Sequence, residues 1–144
     1  MSTTPTLNGQ ILGEAAHATR AVLERVLAPT STTFHESVVL NGTAQAGGAV
    51  PRAAIVARMM GAVKIDLATA EAAVASLAAD GLLTDDGETL TLTDAGRARN
   101  DAIRGPLGEV TQRLYADLPA DHLAVAARVL ITLTARANAE LAAA

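Results

Sequence analysis

Apolar positions in the first part of the chain recur at steps of three and four. Leu7, Ile11, Ala15, Ala18, Val22 and Val26 fall on one face, which predicts a long amphipathic helix over 7–27 that Pro29 ends. Thr33-Phe34-His35-Glu36 has the spacing of a capping box, so a second helix should start near Phe34 and end near Gly47-Gly48. Pro51 suits the first turn of a third helix, 52–60, with Ala54, Ile55 and Met59 inward. A turn over 61–65 leads to Asp66, a good N-cap, and Ala70, Val74 and Leu77 then mark a fourth helix that Gly81 stops.

After Gly81 the period changes from helical to two. Leu90 and Leu92 alternate with Thr89, Thr91 and Thr93, and Asp85-Asp86-Gly87 is hairpin punctuation, so 82–84 and 89–93 are predicted to be two short antiparallel strands. Thr93 caps a further helix. Gly105-Pro106 lies inside that pattern and should kink or split it, before Leu107, Val110, Leu114 and Tyr115 resume it. Leu118-Pro119 opens a last helix, where Leu123, Ala126, Leu130, Leu133, Ala137 and Leu141 form an apolar stripe broadened by Val129. Residues 1–6 are polar, contain Pro5 and are expected to be a disordered tip. Short helices that give way to a hairpin and a capped helix predict a mainly α (α+β) fold, a winged helix-turn-helix.

The stretch Leu77-Ala78-Ala79-Asp80-Gly81-Leu82-Leu83, followed by Leu92-Thr93-Asp94-Ala95-Gly96-Arg97, resembles the MarR family of bacterial transcription regulators. The order and lengths of the elements extend the resemblance from about Leu7 to the C-terminus. It implies a single domain over 7–144, with a winged core at about 33–96. It also implies long N- and C-terminal dimerisation helices, about 7–28 and 97–144, that interlock across a two-fold axis. The terminal stripes suit that use, because they lie outside the compact core and need a partner.

The function implied is a DNA-binding transcriptional regulator, homodimeric and responsive to a small effector. In the family's register the groove-facing positions are Asp66, Ala68, Thr69, Ala72 and Ser76, where relatives commonly place Ser, Thr, Gln and Arg. No Arg or Lys stands there in this chain. The wing tip, where the family usually carries Arg, reads Asp85-Asp86-Gly87-Glu88, and its carboxylates repel phosphate. Phosphate contacts therefore fall to Arg52, Arg58, Lys64, Arg97 and Arg99, a solvated surface being the plainer reading of each. A pocket for a small aromatic or anionic effector is expected between the first, second and fifth helices. His17, Arg20, His35 and Tyr115 are its candidate polar contacts, unless they are simply surface or half-buried groups. The alternative function is a dimer of the same fold whose degenerate DNA-binding surface leaves it a small-molecule or protein-binding module.

Composition narrows this picture. Eleven Lys and Arg against fifteen Asp and Glu give a net charge of −4, so any DNA contact must come from a local basic patch. With one Phe, one Tyr and no Trp, the hydrophobic half of the chain is largely aliphatic and alanine-rich, which suits closely packed helices. The absence of cysteine excludes disulfides and thiol redox sensing. Neither a membrane-spanning stretch nor a secretory signal is visible, so a cytoplasmic location is expected. His17, His35 and His122 lie on different predicted helices and lack metal-ligand spacing, and no phosphate loop, dinucleotide fingerprint or nucleophile elbow occurs. No metal, cofactor or enzymatic activity is expected.

Overall fold

Asn8 opens the first helix, its side chain accepting a hydrogen bond from the Ile11 N–H at 3.0 Å. That helix, α1, runs Gly9–Leu27 and passes into a short 3-10 turn, Ala28–Thr30, at Pro29. Thr33 and Glu36 form the expected capping box: the Glu36 N–H donates to the Thr33 hydroxyl (3.1 Å) while the Thr33 N–H donates to the Glu36 carboxylate (2.9 Å), starting α2, Phe34–Gln45. Then follow β1 (Ala49–Pro51), α3 (Arg52–Gly61), α4 (Leu67–Ala79), β2 (Leu83–Asp85), β3 (Thr89–Leu92), α5 (Asp94–Tyr115) and α6 (Ala120–Ala142). The computed structural model describes residues 4–143. Residues 1–3 of the expected disordered tip lie outside that span, and 4–7 carry no regular secondary structure.

The chain divides into two compact units, Met1–Gly108 and Glu109–Ala144. The first is the winged helix. Its core joins Leu27, Val39 and Leu40 to Ile55 and Met59 of α3, Ala70, Val74 and Leu77 of α4, Leu90 and Leu92 of β3, and Ile103 of α5. Because Gly96, Asn100 and Ile103 are buried, this unit continues well into α5. The sheet has three strands in the order β1-β3-β2, all antiparallel, with Val50 opposite Leu90 and Thr84 opposite Thr91. Sequence periodicity missed β1, a three-residue strand ending in proline that completes the sheet on the far side of β3.

The Leu-Thr-Asp-Ala-Gly piece has a physical account. The Thr93 hydroxyl donates to the Gly81 carbonyl (2.6 Å) and accepts from the Gly96 N–H (3.0 Å), so one side chain ties the turn after α4 to the first turn of α5. A Cβ at position 96 would overlap the Leu82 carbonyl oxygen, so only glycine lets α5 start so close to this backbone.

One of two expected outcomes is ruled out. α5 is not split at Gly105-Pro106 but runs through it to Tyr115. Proline removes one N–H from the ladder, yet Ala102, Gly105 and Pro106 are exposed, so water can satisfy the freed carbonyl. In the second unit α6 starts after Pro119, as the pattern predicts, and buries no residue. Among the described residues no single helix is long and apolar enough to cross a membrane.

Candidate nucleic-acid interface

The helix α4 is fixed at its start by Asp66, whose carboxylate accepts the Thr69 N–H at 2.7 Å; the Thr69 side chain, followed by that N–H, holds the Asp66 pKa below the ordinary carboxylate value. Ala70, Ala73, Val74 and Leu77 face the core, leaving Leu67, Ala68, Ala72, Ala75, Ser76 and Ala79 exposed and Thr69 half-buried. The positions expected to face a groove are thus mainly outward. Ser76 is also engaged inward, its hydroxyl donating to the Glu36 carboxylate on α2 at 3.2 Å. Lys64, just before the helix, is exposed and has left-handed backbone at φ 64°, a conformation uncommon for a residue with a side chain.

The wing tip is ordered by its own carboxylates. Asp85 accepts the Gly87 N–H at 2.9 Å, and Asp86 accepts the N–H groups of Glu88 (2.9 Å) and Thr89 (2.7 Å). Those backbone donors hold both carboxyls below their ordinary pKa, for Asp85 with help from Arg52.

Arg52, the first residue of α3, donates Nε to Asp85 (3.1 Å) and Nη1 to Glu71 of α4 (2.9 Å), and Nη2 reaches the second Glu71 oxygen. These bonds, those to Glu71 foremost, raise the guanidinium pKa further and depress that of Glu71. A residue expected to meet phosphate therefore has most of its donors committed within the protein. Nor does Asp85 present a free charge at the wing.

The other basic candidates separate. Arg97 extends its guanidinium over Gly48, where a Cβ would come within 3.1 Å of Nη2. Arg99 is half-buried and donates to the Thr32 hydroxyl at 3.1 Å. Arg58 lines a cleft of about 140 Å³ together with Arg104, Asn41, Asn100, Ser37 and an apolar floor of Leu23, Phe34, Val38, Ile103 and Leu107. Sequence reasoning missed this grouping, because its members come from four helices.

A larger cleft, about 320 Å³, lies on another side of Phe34, lined by Arg20, Glu24, Leu27, Ala28, Thr32, Thr33, Phe34 and His35. The Arg20 guanidinium sits 4.0 Å from the centre of the Phe34 ring and pairs with Glu24 at 3.3 Å, and the His35 ring lies 5.6 Å from Phe34, tilted by 60°. Of the four expected ligand contacts, Arg20 and His35 are brought together here. His17 is exposed and does not line either cleft, and Tyr115 is an exposed residue of the second unit. Among the described residues no group of three His, Asp or Glu could hold a metal ion.

No family model matches this sequence, and no curated protein matches it. Solved structures do. The chain is similar to CouR from Rhodococcus jostii, bound to p-coumaroyl-CoA, with a TM-score of 0.73 at 16% identity over 88% of this chain and 90% of that one. It is similar to MarR from E. coli, a mutant form, with a TM-score of 0.66 at 18% identity over 91% and 98% of the two chains. BpsR from Bordetella bronchiseptica, whose DNA binding is regulated by 6-hydroxynicotinic acid, matches with a TM-score of 0.66 at 24% identity over 92% and 98%. With the hairpin-flanked α4, the third strand and the Thr93–Gly96 cap all in place, this chain has the fold of the MarR family of regulators.

Proposed function

We propose that this protein is a homodimeric DNA-binding regulator of transcription that responds to a small aromatic or anionic effector. The observation that carries the reading is α4: a helix capped at Asp66, buried along one side, exposed along the other and flanked by a β-hairpin, as a major-groove reader is. Its exposed face offers Leu67, Ala68 and Ala72 rather than Arg or Lys, which suits contact with thymine methyl groups and leaves most of the affinity to backbone contacts. Arg97 and Lys64 are the phosphate contacts favoured here, with Arg58 and Arg99 secondary.

For the effector we place the aromatic ring of the ligand against Phe34 and its anionic group at Arg20, with His35 alongside. The stacked Arg20–Phe34 pair in a cleft of suitable size supports this. CouR bound to p-coumaroyl-CoA and BpsR regulated by 6-hydroxynicotinic acid are consistent with such a ligand. The homodimer is supported by the exposed apolar residues of α6, among them Leu130 and Leu133.

The test is a mobility-shift titration with the DNA flanking its own gene across a salt series. Binding that weakens linearly in log–log form supports the reading. No shift on any duplex at low salt would favour the second one, a dimer acting as a small-molecule or protein-binding module. That alternative draws on the lack of Arg and Lys along α4 and on the internal pairing of Arg52. Thermal-shift screening of aromatic carboxylates against wild type and Arg20→Ala tests the effector site; equal shifts would remove Arg20 from it.

A further inference from the structure

Arg52 stands where three parts of the winged unit meet. It follows directly on β1, and its backbone N–H donates to the Glu88 carbonyl in the wing loop at 2.8 Å. Its guanidinium then takes one carboxylate from each neighbour, Asp85 at the end of β2 and Glu71 in the second turn of α4. The partners lie 33 and 19 residues away in sequence. The Asp85 carboxylate has its two oxygens divided between Arg52 and the Gly87 N–H, so the group that shapes the turn is also the group held.

We propose that Arg52 is a positioning residue: it clamps the wing to α4, so that helix and hairpin meet a duplex as one rigid unit. This rests on the reading of α4 as the DNA-facing helix. Removing the guanidinium would leave Glu71 and Asp85 facing each other unpaired, and like charges would drive the hairpin and the helix apart. A planar fork that serves two carboxylates at once is a property of arginine that lysine lacks. The arrangement also argues against a phosphate contact, since Arg52, Glu71 and Asp85 together carry a net negative charge and the donors point inward.

The test compares wild type, Arg52→Lys and Arg52→Gln by amide hydrogen exchange and by salt-dependent binding to a duplex selected by the wild-type protein from a random-sequence library. The clamp predicts that both variants exchange the wing amides 87–89 on the order of tenfold faster while the amides of Val74 and Leu77 stay protected. Both should bind the selected duplex about tenfold more weakly with an unchanged salt slope. If wing exchange is unchanged in both variants, the clamp is overturned. It is overturned equally if Arg52→Lys restores affinity while Arg52→Gln lowers the salt slope by about one, the signature of a phosphate contact. Should wild type select no duplex while the wing amides still loosen, the clamp stands and the DNA-binding reading fails. Glu71→Gln, which breaks only the arm to α4, is read by the same criteria if Arg52→Gln does not fold.

Discussion

The two units use similar residues to opposite effect. In Met1–Gly108 the aliphatic side chains of five helices and a sheet close on one another, and every residue that is buried among the described ones belongs to this unit. In Glu109–Ala144 comparable side chains are left outside: Val125, Val129, Leu130 and Leu133 on α6 are exposed, and Ile131 and Leu141 reach 69% and 66%. A solitary helix gains little from its own hydrogen bonds, and helical stability in proteins comes mainly from burying an apolar face. The core of the first unit therefore carries its own stabilisation, whereas the second unit, like the exposed Leu7, Ile11 and Leu12 at the start of the first, needs a surface to cover it. In our account that surface is a second copy of the chain.

The contrast can be broken most sharply in the second unit. Leu130→Asp or Leu133→Asp would place a charge in the proposed interface twice, once per copy, at a cost of several kcal/mol. Light scattering should then report monomer or aggregate, while the winged unit keeps its hydrogen-exchange protection.

The first unit has its own most sensitive point at Gly96. Gly96→Ala drives a methyl group against the Leu82 carbonyl, and backbone cannot yield as a flexible side chain can. We expect a loss of about 3 kcal/mol, the upper part of the usual overpacking range, read as a lower urea midpoint with unchanged slope. An equivalent loss from Gly105→Ala is not expected, because nothing stands within 4 Å of that position.

Smaller changes sharpen the account of the winged surface. Arg97→Ala should weaken binding on every sequence and reduce the salt slope by about one; Arg99→Ala, whose guanidinium is held by Thr32, should do less. Asp86→Arg with Glu88→Arg should strengthen non-specific binding without touching the Arg52–Asp85 pair. A slope that ignores all of these changes would place the DNA contacts elsewhere.

The smallest expected effect is acid sensitivity. Glu71 is depressed by Arg52, Asp85 chiefly by the Gly87 N–H, and Asp86 by the N–H groups of Thr89 and Glu88. A carboxyl whose folded pKa lies below its unfolded value contributes stability above the ordinary range, near pH 4, and loses it as pH falls through the depressed value. Melting temperature should thus decline below about pH 4, and less steeply in Glu71→Gln, which has one such group fewer. Identical acid profiles would show that the Arg52 pairing is not felt in stability.

Much of the fold was legible because its signals are local. Thr33 with Glu36, Asp66, Thr93, the stop at Gly81 and the alternation through Leu90 and Leu92 each act within a few residues, and the structure places them as the sequence implies. What escaped was short or long-range. The strand β1 is too brief for a period to register, and Pro51 argues against it unless its unpaired side is known to be an edge. The partners of Arg52 and the convergence of Arg58 with Arg104 depend on tertiary packing that no spacing encodes. The carboxylates of the wing tip read as repulsive in the sequence, whereas half of their logic is internal: Asp85 and Asp86 spend their oxygens on Arg52 and on the turn.

The most direct test of the central claim, that the winged core is complete while the exposed terminal helices require another copy, is the mass of the wild-type protein in solution. Multi-angle light scattering across the micromolar range should give twice the mass of the 14.6 kDa chain, holding steady on dilution. A monomer throughout that range, with α6 still helical by circular dichroism, would contradict it.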